Sequence, residues 1–371
     1  MNTFAEVFSP GEFLREELEA RNWTQTEMAD IIGRPVRLIN EIIAGKKAIT
    51  PETAVQLGES LGTGAEVWMN LESQYQLSKV RGADNLIARR ASLYSRFPVR
   101  EMIKRGWITA SKNIDVLEQQ FLTFFSIQQL DEPVTFCHAA KKSHAEAEAT
   151  SLQLAWLCRA WQVAGELIVG PYNEGALRKA LPRLAALRSA PEEARHVARI
   201  LEECGVRFVI VEPIAGTKID GACFWLANEQ PVVALSLRLD RIDNFWFVLR
   251  HELEHVLQHH GRERGYILDQ EIESAPIDTI NEEERVANAA AAEFCVDQAE
   301  MQGFVARVAP FFKEERVLLF AQRLAIHPGL VVGQLQRRLR RYDLFRKHQV
   351  KVRAFITSSA RTDGWGVVHA D

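Results

Sequence analysis

The chain is 371 residues long, 47% hydrophobic and 25% charged, with a formal net charge of −4; a chain of this length buries a sizeable core and divides into two or three domains. The charge excludes a globally basic nucleic-acid coat, so any DNA contact has to be local. The five cysteines, Cys137, Cys158, Cys204, Cys223 and Cys295, are scattered and form no CxxC pair, so neither a disulfide framework nor a cysteine-based zinc knuckle is indicated, and a reducing cytoplasm fits. The first residues, MNTFAEVFSPGEF, lack a basic n-region and an apolar h-region, and no run of 18 apolar residues appears. A cytoplasmic protein, neither secreted nor membrane-spanning, is expected.

Residues 9 to about 78 read as five short helices. Ser9-Pro10-Gly11-Glu12 and Thr24-Gln25-Thr26-Glu27 are capping boxes, Gly33 and Gly45 are stops, and Thr50-Pro51 opens the fourth helix. From 81 to 105, Arg81, Arg89, Arg90, Arg96, Arg100, Lys104 and Arg105 face only Asp84 and Glu101, which suggests a basic helical connector. The pattern stays helical to about 204, with SLQLAWLCRAWQ at 151–162 the most apolar part. The period then switches: GVRFVIVEPI, GACFWLA and PVVALSL are short β-branched or aromatic runs between turn residues, predicting a small sheet of about three strands. A strongly apolar helix, FWFVLRHELEHVLQHHG, follows, then an acidic loop, an alanine-rich helix near 282–298 and a basic tail. In that tail, residues 334–353 carry eight Arg or Lys against Asp343, either a solvated face or a complement to DNA or an acidic partner.

His251-Glu252-Leu253-Glu254-His255 is an HExxH motif inside a helical stretch that Gly261 stops. Residues four apart share a face, so both imidazoles can reach one ion while Glu252 lies beside them. That arrangement suits zinc hydrolysis, with the glutamate as proton acceptor for a coordinated water. A third ligand is offered by Glu284, 29 residues beyond His255, on a helix whose Ala287, Ala290 and Ala291 allow close approach.

HELEHVLQH followed by ERVANAAAAEF resembles the ImmA/IrrE metallopeptidase family, over roughly residues 200–335. The resemblance implies zinc held by His251, His255 and Glu284, with Glu252 as general base, in a minimal zincin domain. Two departures stand out: Ala290 replaces the usual Phe, and the intervening segment is acidic (Asp269, Glu271, Glu273, Asp278, Glu282, Glu283). Glu283 is an alternative ligand by type, but only Glu284 has Ala-Asn at the family offset. His259 and Asn288 are candidate outer residues of the site, His260 reads as solvated, and Tyr266 and His327 are candidates by type alone for stabilising an oxyanion.

In the first 80 residues, Ala29 and Gly33 occupy the contact and turn positions of a helix-turn-helix, with Met28, Ile32, Ile39 and Ile42 buried. NEIIAGK, ITPETA and the W-x-N-L ending resemble the HigA antitoxin branch of the Cro/C1-like domains. The resemblance implies a five-helix dimeric DNA binder with the helix at about 35–44 in the major groove. Gln25 would hold phosphate, Val36, Arg37 and Asn40 would face the groove, and Lys46 and Lys47 the backbone. Yet residues 1–80 hold seven basic against twelve acidic residues, and Pro35 and Val36 stand where the family more often has Ser and Arg. Dimerisation or partner docking is the competing role for this domain.

These readings give an α+β, mostly helical chain: a five-helix helix-turn-helix domain at 1–80, a helical connector at 81–204, a zincin domain with a small antiparallel sheet at 205–335, and a basic tail at 336–371. The expected function is a cytoplasmic zinc metallo-endopeptidase coupled to transcription, stress or toxin-antitoxin control. Its expected partners are operator DNA, a protein substrate such as a helix-turn-helix repressor or toxin-system component, and a second copy of itself. The alternative is a repressor or antitoxin whose zinc domain senses or scaffolds.

Overall fold

The structure, a computed structural model, describes residues 8–80, 85–134, 149–227, 229–262, 266–270 and 282–365, and the chain forms two compact units, Met1–Arg89 and Arg90–Asp371. The first contains α1 (Pro10–Arg21), α2 (Gln25–Ile32), α3 (Val36–Ile43), α4 (Pro51–Leu61) and α5 (Ala65–Val80), the five helices expected. Both capping boxes form, Ser9 with Glu12 and Thr24 with Glu27, and Gly33 ends α2 in the left-handed region at φ 67°. Leu14, Met28, Ala29, Ile39, Leu57 and Trp68 are fully buried and form the centre of its core.

The next helices are α6 (Leu86–Arg96), α7 (Val99–Lys104), α8 (Ile114–Phe125), α9 (Ser151–Gly165), α10 (Glu174–Ala186) and α11 (Val197–Glu203). After them come β1 (Arg207–Ile210), β2 (Ile219–Leu226), β3 (Gln230–Leu235), α12 (Ile242–Leu257), β4 (Tyr266–Gln270) and α13 (Glu282–Cys295). The chain closes with α14 (Gln298–Val308), α15 (Glu314–Arg323), α16 (Pro328–Leu339), α17 (Arg353–Thr357) and β5 (Arg361–Thr362). No described helix is long and apolar enough to cross a membrane.

Among the described residues the sheet has five strands in the order β4-β2-β3-β1-β5 and is mixed, which corrects the expected three-stranded antiparallel sheet. β3 pairs antiparallel with β2, but parallel with β1, because β3 inserts between the two strands that precede it; β5 also runs parallel to β1. Side chains alternate across the sheet. Phe208, Ile210, Cys223, Val233 and Leu235 pack with α12 on one face, while Val209, Ala222, Phe224, Val232 and Ala234 pack with Phe121 of α8 and Trp156 of α9 on the other. Burial on both faces is why these strands read as continuous apolar runs rather than alternating ones.

Two segments expected to lie outside the sheet domain are part of it. The connector supplies α8 and α9, whose Trp156 Nε1 donates to Val211 O at 3.0 Å and whose Gln153 Nε2 donates to Thr217 O at 3.0 Å. Arg105, counted in the basic connector, is buried and donates to the carbonyls of Glu212 and Pro213; Arg81 and Asp84 lie outside the described residues. The basic tail returns to the fold, with Val352 and Ile356 buried in the α12 core and β5 hydrogen-bonded beside β1. Ile356→Ala is therefore expected to cost about 2–5 kcal/mol in denaturant unfolding of the second unit. A solvated tail would show no change.

Candidate metal centre

α12 is buried along its whole length, including His251, Glu252 and His255 at 0% exposure. α13 lies against it through Ala287 and Ala291, both fully buried, and this small-residue face brings Glu284 to the imidazoles. His251 Nε2 stands 3.0 Å from His255 Nε2 and 3.2 Å from Glu284 Oε2, and His255 Nε2 is 3.3 Å from Glu284 Oε1. A fourth donor joins them from β4: Asp269 Oδ2 lies 3.2 Å from His251 Nε2 and 3.8 Å from His255 Nε2. The donor atoms of His251, His255, Asp269 and Glu284 all lie within 4.8 Å of one another and form a cluster able to hold a metal ion.

Sequence reasoning counted Asp269 only as part of an acidic loop. Glu282 and Glu283 of that loop are the first residues of α13, while Glu271, Glu273 and Asp278 lie outside the described residues. The signal that was available is the parity of YILDQ once it is read as a strand: Asp269 shares the α12 face with Ile267, and Tyr266 and Leu268 point to the α9 face. That parity takes Tyr266 away from the cluster. His327 is also elsewhere, its Nδ1 accepting from Gly329 N at the start of α16.

The electrostatics are those of a buried, charge-dense site. Burial pushes the His251 imidazole down, but Asp269 and Glu284 outweigh it and raise it to about 9. Burial pushes Glu284 up, and its hydrogen bonds to His251 and His255 hold it below the usual carboxylate range. Glu252 is driven well above that range, first by burial and then by the carboxylates of Asp269, Glu284 and Asp220. Neither Glu252 oxygen has a hydrogen-bond partner among the described residues, and the same is true of His251 Nδ1. Such orphaned atoms are costly in a closed core and fit a site shaped around a cation.

The outer residues differ from expectation. Projected as a continuing helix, His259 falls near the face of His255, but α12 ends at Leu257 and His259 takes a left-handed conformation at φ 57°. His259 N donates to Val256 O and His260 N to His255 O, the two bonds of a Schellman cap. His259 thus stacks on Trp225 and faces Glu174. His260 instead comes beneath the cluster, its Nδ1 2.9 Å from His255 Nδ1. Asn288 lines a cavity of about 290 Å³ with Phe247, Ala292, Leu330 and Arg337, and its Oδ1 has no partner among the described residues.

In the first unit, Gln25, Arg37, Asn40, Lys46 and Lys47 are exposed, whereas Val36 packs partly against the core. Arg37 Nε donates to Glu41 Oε1 at 2.7 Å, so the base-reading candidate is held by a carboxylate on its own helix.

Residues 14–68 match the family model described as helix-turn-helix, and residues 202–339 match the one described as IrrE N-terminal-like domain. The HTH-type transcriptional regulator YddM of Escherichia coli is 29% identical over 70 residues, 19% of this chain and 74% of that protein. Virulence-associated protein I of Dichelobacter nodosus is 35% identical over 69 residues, 18% of this chain and 64% of that protein. Among solved structures, an antidote protein of a plasmid maintenance system from Nostoc punctiforme is 29% identical, covering 21% of this chain and 86% of its own at a TM-score of 0.21. A HigA-family addiction module antidote protein from Coxiella burnetii is 26% identical, covering 24% and 95% at a TM-score of 0.20.

One packing detail of the centre is directly testable. A Cβ on Gly221 of β2 would meet Glu252 Oε1 at 2.2 Å and Val248 Cγ1 at 3.0 Å, so only glycine lets the sheet close over this carboxylate. Gly221→Ala should cost about 1–3 kcal/mol by overpacking, read as a lower denaturation midpoint. An unchanged midpoint would mean that Glu252 is free to move away.

Proposed function

Since the chain joins a helix-turn-helix domain to an IrrE N-terminal-like domain, we propose that it is a cytoplasmic zinc metallo-endopeptidase coupled to transcriptional, stress or toxin-antitoxin control. The observation that carries this reading is the spacing of the donors. Nitrogen and oxygen ligands lie about 2.0–2.2 Å from tetrahedral zinc, so two ligands of one ion stand about 3.3–3.6 Å apart; the imidazole nitrogens stand 3.0 to 3.8 Å from each other and from the carboxylate oxygens, in a cluster whose donor atoms all lie within 4.8 Å. Zinc held by His251, His255 and Glu284 would supply a Lewis acid and bring the pKa of water toward neutrality. Glu252 would accept the proton and deliver it to the leaving amine. The ion's positive charge would favour ionised Glu252, opposing the burial and neighbouring carboxylates that raise it. His255 presents Nε2 to the ion only if Nδ1 carries the proton, and His260 Nδ1, 2.9 Å away, would accept it and fix that tautomer.

A second reading, a repressor or antitoxin whose metal domain senses or scaffolds, draws on the same centre, since four protein donors resemble a structural zinc site more than an open one. Metal analysis and cleavage of the proteins encoded beside this gene separate the two. The wild type should hold one zinc and cut one of them, His255→Ala should hold none, and Glu252→Gln should keep zinc and lose about 10²–10⁴-fold in rate. Undiminished cleavage by Glu252→Gln would remove the proposed mechanism, and zinc without cleavage in the wild type and in Asp269→Ala alike would favour the second reading.

For the first unit we infer operator binding by a homodimer, with α3 in the major groove. Gln25, Lys46 and Lys47 would contact phosphate, and Arg37 and Asn40 base edges; Val36, partly packed, offers only its exposed edge. Arg37 has to exchange Glu41 for a base. Arg37→Ala is expected to cost about 1–3 kcal/mol on the specific site and little on random duplex, by mobility shift at fixed salt. Equal losses on both duplexes would make Arg37 a backbone contact. No binding to the promoter of its own operon would make the unit a dimerisation or docking module.

A further inference from the structure

We propose that Asp269 is the fourth ligand of the metal and that β4 thereby holds the centre closed, filling the coordination position that a peptide substrate would need. The inference rests on the metal reading above and adds its regulation. A catalytic zinc site takes three protein ligands and keeps one position open; His251, His255 and Glu284 would supply three, and a fourth oxygen, Asp269 Oδ2, lies 3.2 Å and 3.8 Å from the two imidazole nitrogens. Asp269 is 6% exposed, and that oxygen faces the two imidazoles. A buried carboxylate oxygen aimed at two imidazoles is stabilised when it coordinates and penalised when it does not.

The sheet gives this contact a second meaning. β4 is the edge strand, antiparallel to β2, and Asp269 pairs with Gly221. Gly221 is the residue against which Glu252 Oε1 rests. The register slips between Ile219 and Gly221, an irregularity of the kind that re-aims a side chain at the end of a ladder. β4 therefore passes the point where a scissile peptide would have to lie to meet both the ion and Glu252. An extended substrate could add to the outer edge of β4, but the position beside Gly221, next to Glu252, opens only when β4 leaves β2. Its departure would withdraw Asp269 and leave the His251, His255 and Glu284 set with one open position. The occupant of the resting centre is thus a segment of the same chain.

The test uses the full chain loaded with Co2+ and follows its visible d–d band during titration with acetohydroxamate, with metal stoichiometry and circular dichroism measured in parallel. The wild type should bind one Co2+ and respond weakly. Asp269→Ala and Asp269→Asn should each bind one Co2+ and respond at concentrations lower by about tenfold or more, because a coordination position has opened. The Asn variant keeps the side-chain shape should the Ala variant fail to fold. If the wild type and both variants respond at the same concentration, Asp269 is not a ligand and the inference falls, while one Co2+ per chain leaves the metal reading standing. Loss of Co2+ from both folded variants would make Asp269 an obligatory ligand and overturn the removable closure. Absence of Co2+ from all three would overturn the metal reading itself.

Discussion

A helix buried on every side carries two imidazoles and a carboxylate into the interior of this protein, and the surrounding structure depends on how that charge is met. Moving one ionised group from water into a protein interior costs several kcal/mol after relaxation. Two further carboxylates, Glu284 and Asp269, converge on the same point, so the protein alone has an excess of negative charge there. The raised Glu252 and His251 are two symptoms of one condition: without a cation, protons are the available compensation. The alanine face of α13 and Gly221 of β2 are the geometric side of the same constraint, since each removes the Cβ or side chain that would keep a carboxylate from the cluster. Stability and chemistry are therefore opposed at this site, as is common where function requires buried charge.

The parts of this centre that were legible in the sequence are those set by helical spacing. His251 and His255 are one turn apart, and Glu284 is marked by Ala-Asn beyond it, so a period of 3.6 residues was enough to relate each to its helix face. Asp269 was not legible because a five-residue edge strand set among charged residues has no periodic signature of its own; tertiary pairing with β2 creates it. The exchange of His259 for His260 has a local cause. Gly261 was read as the stop, but the left-handed residue that ends the helix is His259, and a non-glycine in that conformation gives no warning in sequence. A two-residue error in a helix end rotates the following side chains onto another face.

The direction of the strands was hidden for a different reason. Three apolar runs separated by turn residues are equally consistent with a meander and with the observed β2-β3-β1 order, since both bury the same side chains on the same faces. What separates them is the segment between β1 and β2, residues 211–218, which carries the chain past the site where β3 will enter rather than into a hairpin. The N-terminal helices were easier because α1, α2 and α4 carry their own start chemistry, in the two capping boxes and Thr50-Pro51, and Gly33 stops α2. Local signals of that kind do not depend on what packs against them.

The residues that match the IrrE-like family, 202–339, are fewer than the residues that make its sheet stable. One face of that sheet is covered by α12, within the match. The other presents Val209, Ala222, Phe224, Val232 and Ala234, and its cover comes from Phe121, Trp156 and their neighbours in α8 and α9. Beyond the match on the other side, β5 protects the outer edge of β1, and Arg353 pairs with Glu212. An exposed apolar face and a bare parallel edge both invite association with other chains. The segments on either side of the match are therefore required by the physics of the sheet, and the smallest piece of this chain that can present the candidate metal centre with its sheet covered runs from the first of these helices to β5.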